Sequence, residues 1–247
     1  MDAAEYVAQQ RAYTRVADGE HFRWQTRPSY FARTEAALVA GAVAGLTDGA
    51  RLLEIGCGEG GNLMHLAAAS PGTRLVGVDF SSEKARFAGR ATPATTVAAD
   101  AAHLPFADGA FDAVLIRDLL HHLPDRAAAL AEARRVVRPG GRVTVVEPNA
   151  RSPLVLAQMA VVPAERGARL STAARLRDEL VAAGLTIVVE EALQPLPLAR
   201  VLLHPRLGGA GDHPAVERLV AVSDALAARV VPRAAWMYLR FVAVKAP

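Results

Sequence analysis

The sequence predicts an α/β domain in which helices cover both faces of a parallel sheet. From Arg51 onward, short runs of aliphatic and β-branched residues alternate with alanine-rich stretches of helical length. Hydrophobic residues make up 52% of the chain and charged residues 21%, enough apolar material for a large core. Strands joined by helices form right-handed crossovers, and such crossovers produce a parallel sheet that is buried on both faces.

Composition limits the classes of protein that the chain can belong to. Its 247 residues suit one large domain. The single cysteine, Cys57, excludes an intrachain disulfide and a zinc site with several cysteines. The net charge is +3 and the arginines are scattered, so we expect no nucleic-acid partner. We also expect no signal peptide and no transmembrane segment, and therefore a cytoplasmic location.

Seven strands and five main helices follow from the pattern of residues. The predicted strands cover residues 51–55, 73–79, 95–99, 111–117, 142–147, 185–190 and 236–244. The predicted helices cover residues 62–69, 81–87, 125–137, 172–183 and 214–230. Ser81 or Ser82 is suited to cap the second of these helices and Gly89 to end it. Pro139, Gly140 and Gly141 are expected to end the third.

Two parts of the chain depart from this alternation. Residues 1–46 are predicted to form an N-terminal helical lid, and residues 47–247 the main domain. Within that domain, helical insertions are expected at about residues 148–170 and 192–232, both of which contain several prolines. Insertions on a parallel sheet usually gather at the carboxyl ends of its strands, where ligands bind.

A glycine-rich turn follows the first predicted strand. Apolar residues lead directly into Gly56, Gly58 and Gly61, so the backbone can turn sharply and approach a ligand closely. This spacing satisfies the G-x-G-x-x-G pattern of dinucleotide-binding proteins. By itself the pattern is weak evidence, and it leaves a nicotinamide-dependent oxidoreductase open.

Three acidic residues at strand ends narrow the choice of ligand. Glu54 precedes the turn, where a carboxylate would repel a pyrophosphate but attract an ammonium or a sulfonium group. Asp79 ends the second strand and is suited to accept hydrogen bonds from both hydroxyls of a ribose. Asp100 ends the third, where it could accept from an adenine amine while the small Ala101 leaves room for the ring.

Residues 51–147 resemble the class I S-adenosylmethionine (SAM)-dependent methyltransferases, the family that includes the ubiquinone and menaquinone methyltransferases. The resemblance is carried by LLEIGCGEGGN (52–62), VGVDFS (76–81), AADAAHLPFADGAFDAVLIRDLLHHLPD (98–125) and RVVRPGGRVTVVEPN (135–149). It implies a Rossmann-like sheet of seven strands with the last strand antiparallel. It also implies methyl transfer from SAM, with S-adenosylhomocysteine as the product.

The resemblance further implies roles for residues around the cofactor. Gly56, Cys57 and Gly58 would lie against the methionine part of SAM. Asp79 would hold the ribose, Phe80 would pack beside the adenine, and Asp100 and Ala101 would bind its edge. The backbone of Arg117 would face the sulfonium, and Arg33, on the N-terminal lid, is the preferred partner of the methionine carboxylate.

Two adjacent histidines are the candidate catalytic residues. His122 and His121 follow the fourth strand, near the expected position of the methyl group. An oxygen or carbon acceptor must lose a proton, and histidine titrates near neutral pH, so either residue is a possible base. Asp118 is a competing carboxylate for orienting the ligand. The alternative is that the histidines only shape the pocket.

These observations predict a methyltransferase that acts on O, C or N of a small, fairly apolar metabolite. The alternatives are a SAM-binding protein with other chemistry or no catalysis, and, with less support, an NAD(P)-dependent oxidoreductase. The oxidoreductase lacks a Tyr-x-x-x-Lys pair. No metal is expected, since His204 and His213 lack a third ligand at a recognisable spacing. A homo-oligomer is possible.

Overall fold

The computed structural model describes residues 19–196, 198–202 and 213–247. Its strands are β1 (Arg51–Ile55), β2 (Arg74–Asp79), β3 (Thr95–Ala98), β4 (Phe111–Arg117), β5 (Val137–Pro148), β6 (Leu185–Leu193) and β7 (Tyr238–Lys245). Its helices are α1 (Glu20–Thr26), α2 (Tyr30–Val39), α3 (Gly61–Ala69), α4 (Ser82–Ala91), α5 (Arg126–Val136), α6 (Pro153–Val161), α7 (Ala173–Ala182), α8 (Leu198–Leu202) and α9 (Pro214–Val230). Short 3₁₀ segments cover Ala40–Ala42, Leu120–His122, Pro163–Leu170 and Arg233–Ala235.

The seven strands form one sheet in the order β3-β2-β1-β4-β5-β7-β6. Strands β1 to β5 pair in parallel. β7 lies between β5 and β6 and is antiparallel to both. The predicted fold class, a mostly parallel sheet with an antiparallel last strand, is therefore confirmed.

The fifth strand begins earlier than predicted. The sequence places its start at residue 142, after a Pro-Gly-Gly turn, whereas β5 begins at Val137. Phe111 pairs with Val137 and Ala113 with Arg142, so Pro139, Gly140 and Gly141 form a bulge within the strand. A bulge accommodates extra residues on one strand while the pairing continues on both sides of it. The Pro-Gly-Gly residues therefore lie inside β5, and the strand begins directly after α5.

The prediction that Gly89 ends the fourth helix is wrong. Ser81 caps α4, its hydroxyl accepting a hydrogen bond from the Lys84 backbone N–H. The helix then continues through Gly89 to Ala91. A Cβ at Gly89 would lie 2.6 Å from Thr96 Oγ1 on β3. Glycine is therefore required here by the close packing of helix on strand and not by the end of the helix.

Two apolar clusters cover the two faces of the sheet. Along β4, Val114 and Ile116 belong to the cluster that includes α5 and α7, whereas Leu115 belongs to the cluster that includes α2 and α3. All three side chains are fully buried. Because successive residues of a strand point to opposite faces, this continuous apolar run is what a sheet covered on both sides needs.

The helical cover at the two ends of the chain meets on one side of the sheet. On α2, Phe31 is buried and stacks on Trp24 of α1, with ring centroids 4.1 Å apart. The Tyr30 hydroxyl donates to Asp224 on α9, which joins the N-terminal helices to the late insertion. In the part of the chain that the structure describes, no helix is both long and apolar enough to cross a bilayer. Residues 1–18 of the predicted lid lie outside that part.

Replacing Leu115 by alanine should destabilise the fold strongly. The side chain is fully buried in the middle of the sheet, so the substitution leaves a cavity and should lower the free energy of unfolding by about 2–5 kcal/mol. Val181→Ala, on an exposed position of α7, should change it by less than about 0.5 kcal/mol. Urea denaturation measures both, and equal effects would contradict the described core.

Candidate functional site

A cavity of about 670 Å³ opens at the carboxyl ends of the parallel strands. Its volume is within the range of small-molecule sites, about 300–1,000 Å³. The glycine turn, the ends of β1, β2 and β4, α1 and the segment of residues 154–165 border it. This is the edge at which parallel α/β sheets bind ligands, because helix N-termini and polar strand ends meet there.

The glycine turn is fixed to β2 by backbone hydrogen bonds. The N–H groups of Gly56 and Cys57 both donate to the Val78 carbonyl, at 2.8 and 2.9 Å. Gly56 has φ = +80°, and a Cβ there would meet the Leu119 side chain at 2.9 Å. Gly58 has φ = +52° and nothing within 4 Å of where its Cβ would be. A side chain at Gly58 would thus project into space that a ligand could fill.

Asp79 is oriented by two backbone groups. Its Oδ2 accepts from Gly58 N–H and its Oδ1 from Ser81 N–H, both at 2.8 Å. The carboxylate borders the cavity beside Phe80, whose ring is 54% exposed. Carboxylate oxygens have further lone pairs, so Asp79 retains acceptor capacity toward the cavity.

Asp100 and Ala101 border the same cavity one strand further along. Asp100 Oδ1 accepts from the Ala102 N–H at 2.9 Å, which fixes the carboxylate at the start of the loop after β3. Ala101 is buried, and its short side chain leaves the adjoining wall flat. The structure therefore brings together the Gly56–Gly58 turn, Asp79, Phe80 and this pair.

Glu54 lies fully buried at the end of β1 and does not border the cavity among the described residues. Its Oε1 accepts from Asn62 Nδ2 at 2.6 Å, whereas its Oε2 is buried without a hydrogen-bond partner in the described structure. Burial raises the pKa of Glu54 to about 7, against the opposing effects of Asn62 and Arg117. Behind the glycine turn, Glu54 is thus a buried acid whose ionised form is disfavoured.

The Arg117 side chain, which the sequence analysis did not consider, is the centre of a buried polar network. Its guanidinium donates to Asn62 Oδ1 at 2.6 Å and to Glu35 on α2. Glu35 also accepts from Arg200 of α8, at 2.9 Å. Although burial raises the pKa of Glu35, the guanidinium groups of Arg117 and Arg200 hold it below its ordinary value. Arg200 itself borders the cavity.

The predicted role of Arg33 is not supported by its position. Arg33 is 67% exposed, lies 3.6 Å from Glu217 on α9, and is not among the residues that border the cavity. Helix α2 presents Arg33 to solvent and directs Glu35, two residues later, into the interior. The groups that α1 brings to the cavity are His21, Trp24 and Gln25.

Asp118 lies at a strained position in the cavity wall. It has φ = +50°, uncommon for a residue other than glycine, and such strain is frequent at functional sites. The Tyr238 hydroxyl donates to its Oδ2 at 3.1 Å, and Arg117 Nε lies 3.3 Å from the same oxygen. Burial raises the pKa of Asp118, in opposition to the cationic groups of Arg117 and Arg200.

His121 and His122 lie side by side at the cavity wall, with ring centroids 3.9 Å apart. His121 Nδ1 is 2.7 Å from Glu147 Oε2, and its Nε2 is 3.4 Å from Glu165 Oε2. Burial lowers the pKa of His121, but the two carboxylates raise it to about 10. Burial and the adjacent His121 lower the pKa of His122 to about 4. The shifts are thus in opposite directions, toward the protonated ring for His121 and the neutral ring for His122.

Cys57 is buried in the glycine turn. Burial raises the pKa of its thiol, with Glu54 and Asp79 acting in the same direction, so the side chain fills space and is not a nucleophile. His213 caps α9, its Nδ1 accepting from the Ala215 N–H, while His204 lies outside the described residues.

Sequence reasoning missed four residues of the site: Glu147, Glu165, Gln25 and Tyr238. Glu147 ends β5 and accepts three backbone N–H groups from residues 119–121. The sequence does contain a signal for Glu147. It belongs to the segment EPN at the end of the fifth strand, and Glu54, Asp79 and Asp100 are acids at the ends of three other strands. Glu165, Gln25 and Tyr238 come from segments whose position on the cavity only the tertiary structure shows.

Comparison with known proteins identifies similar sequences and folds. Residues 53–145 match the family model described as a methyltransferase domain. A demethylmenaquinone methyltransferase from Mycobacterium sp. (strain KMS) is 42% identical over 106 residues, which is 43% of this chain and 45% of that protein. A 27-O-demethylrifamycin SV methyltransferase from Amycolatopsis mediterranei is 36% identical over 107 residues, 40% of this chain and 39% of that protein. The match thus spans less than half of each curated relative.

A solved structure extends the likeness to the rest of the fold. The crystal structure of the cyclase SpnF matches with a TM-score of 0.64 and 25% identity, over 89% of this chain and 83% of that chain. The likeness therefore includes regions outside residues 53–145.

The buried Glu54 carboxyl group should make stability depend on pH. A pKa raised from 4.5 to about 7 contributes stability below pH 4.5 that is lost as the pH rises through about 7. Glu54→Gln removes this dependence. The stability of the variant relative to the parent protein should rise by about 2–3 kcal/mol between pH 5 and pH 8.5. Urea denaturation at both pH values tests this, and a constant difference would show that Glu54 titrates normally.

Proposed function

We propose that the chain transfers a methyl group from SAM to an oxygen, carbon or nitrogen atom of a small, fairly apolar metabolite. Residues 53–145 match the family model described as a methyltransferase domain, which supports the proposal. The observation that carries the proposal is the glycine turn, with open space beyond Gly58, whose wall continues to Asp79 and Asp100. In order along the sheet edge, these groups match the methionine part, the ribose and the adenine of SAM.

Each part of SAM has a counterpart in this arrangement. The open face of Gly58 leaves room for the methionine part. Asp79 accepts from the ribose hydroxyls, and Phe80 with Ala101 forms the two sides of an adenine slot closed by Asp100. When bound, SAM supplies an electrophilic methyl group on a sulfonium. Arg200 takes the place of Arg33 as the cavity-facing cation for the methionine carboxylate.

We assign the acceptor to the part of the cavity next to His121 and His122. The apolar residues that border the cavity include Leu123, Leu154 and Met237. Methyl transfer is an in-line displacement, so holding the acceptor against the sulfonium supplies a large part of the rate enhancement. Acceptors of this apolar type agree with the names of the two relatives, a menaquinone precursor and a rifamycin.

Calorimetric titration tests the cofactor. SAM and S-adenosylhomocysteine should bind, and Asp79→Ala should weaken both by about 10- to 100-fold, since it removes charged hydrogen-bond acceptors. Asp178→Ala, an exposed aspartate on α7, is the control and should bind like the parent protein. Binding of NADH alone would favour the oxidoreductase and contradict the proposal.

Substitution of His122 tests the acceptor side. His122→Gln should lower turnover about 100-fold or more, as loss of a group that assists proton removal does, while the affinity for SAM stays constant. Transfer of a labelled methyl group to apolar phenols and naphthoquinols, screened as acceptors, gives the rate. His213→Asn, which keeps a capping side chain at α9, is the control. Full turnover in His122→Gln and in His121→Gln would show that neither histidine assists the reaction.

A second function is favoured by one specific likeness. The cyclase SpnF shares this fold over most of both chains. We therefore keep as the alternative a SAM-binding protein whose chemistry is not methylation. SAM that binds tightly but transfers no label to any acceptor of the screen would favour that alternative.

A further inference from the structure

Three potential metal ligands converge at the wall of the cavity. His121, His122 and Glu165 each direct one donor atom toward the others, and these atoms all lie within 4.8 Å of one another. All three residues border the cavity next to Leu123. They come from two segments distant in the chain, the 3₁₀ segments Leu120–His122 and Pro163–Leu170.

Glu147 orients His121 for this purpose. Its carboxylate is fully buried and accepts the N–H groups of Leu119, Leu120 and His121, and the Nδ1–H of His121. Nε2 is therefore the atom presented to Glu165, whose Oε2 lies 3.4 Å away. A carboxylate that holds one imidazole nitrogen while the other binds the ion is the usual support of a metal-binding histidine.

The opposing segment is held close to the histidines by a glycine. At Gly167, a Cβ would overlap the backbone carbonyl oxygen of His121. Only glycine permits this approach, which brings Glu165 of the same segment to the imidazole. The ring of His122 has a hydrogen-bond partner in the segment as well, the carbonyl of Ala164. Each histidine thus has a protein acceptor, as metal ligands typically do.

The spacing of the donor atoms suits an ion bound by nitrogen and oxygen. Tetrahedral coordination with bonds of about 2.0–2.1 Å places neighbouring donors about 3.3 Å apart. His121 Nε2 and Glu165 Oε2 are already 3.4 Å apart. The remaining donor, on His122, lies within 4.8 Å of both, so the ion requires an inward shift of the ring of at most about 1.5 Å.

We propose that His121, His122 and Glu165 bind one divalent transition-metal ion, Zn²⁺ or a similar ion that prefers nitrogen and oxygen ligands. Three protein ligands leave a coordination position open toward the cavity, the arrangement of a catalytic rather than a structural site. The two carboxylates, Glu147 and Glu165, balance the double charge of the ion. The histidines then act as ligands in place of free bases, contrary to the expectation of no metal.

The role of the ion rests on the proposed methyl transfer. A metal ion lowers the pKa of a bound hydroxyl, so that an acceptor O–H loses its proton to water before the transfer. The oxygen then forms a bond to the methyl carbon, the carbon–sulfur bond breaks, and its electron pair stays on sulfur in S-adenosylhomocysteine. The site therefore selects an acceptor whose reactive oxygen can enter the coordination sphere.

Cobalt titration tests the site without requiring activity. Tag-free protein treated with a chelator and dialysed is titrated with Co²⁺, which should give a visible absorption band that saturates at one ion per chain and is abolished by Zn²⁺. His122→Gln and Glu165→Gln should each lose the band. Glu147→Gln should bind Co²⁺ about 10- to 100-fold more weakly, as loss of a supporting carboxylate does. Glu83→Gln, exposed on α4, should behave like the parent protein.

SAM titration of every variant shows whether the domain is folded and separates the two proposals. Protein that binds SAM but shows no saturable Co²⁺ band overturns the metal site and leaves the methyltransferase proposal intact. A band that persists in both His122→Gln and Glu165→Gln also overturns it. A band with no affinity for SAM supports the metal site and contradicts the proposed function.

Discussion

The buried ion pair between Arg117 and Glu35 connects the parts of the molecule that build the cavity. Arg117 ends β4, Glu35 lies on α2, and Arg200 on α8 joins the same carboxylate. Asn62, at the start of α3, accepts from Arg117 and donates to Glu54. Removing one partner of such a pair leaves a buried charge uncompensated, at a cost of about 3–5 kcal/mol. The network around this ion pair therefore joins the N-terminal helices, the glycine turn and the late insertion.

The charges around the cavity divide it into two halves. The first half is formed by the glycine turn with Asp79 and Asp100, whose oxygens accept from backbone N–H groups. The second half contains His121, His122 and Glu165, with the buried Glu147 held against His121. A cationic cofactor fits the first half, and an apolar acceptor with one reactive polar atom fits the second. Each half thus matches one of the two reactants of the proposed reaction.

The sheet and its glycine turn were predictable from sequence because they depend on local patterns. Aliphatic runs of strand length, glycines with positive φ and acids at strand ends are readable without knowledge of the tertiary fold. The predictions for Gly89 and for the Pro-Gly-Gly run were wrong because each depends on a distant part of the chain. Gly89 packs against Thr96 on β3, and the Pro-Gly-Gly run lies in a bulge opposite β4, next to the pair of Phe111 and Val137.

The same limit applies within the site. Arg33 and Glu35 are two residues apart on α2, and only the packing of that helix decides which of them turns inward. Glu165 comes from a proline-bounded segment with no periodicity, and it reaches His121 because Gly167 admits the backbone carbonyl. Asp79 and Asp100 could be predicted because they lie at the ends of strands. The cluster of His121, His122 and Glu165 could not, because it depends on a contact between two irregular segments.

The position of β7 has a consequence for how the sheet assembles. β6 precedes β7 in sequence, and among the described strands it pairs with β7 alone, because β7 lies between it and β5. After β5 joins the parallel core, β6 has no partner until the chain has passed through α9 and returned. During that interval its edge is unpaired, as is the edge of β5, and each is a template for association with another chain. The docking of β7 between β5 and β6 therefore pairs both of these edges in one step.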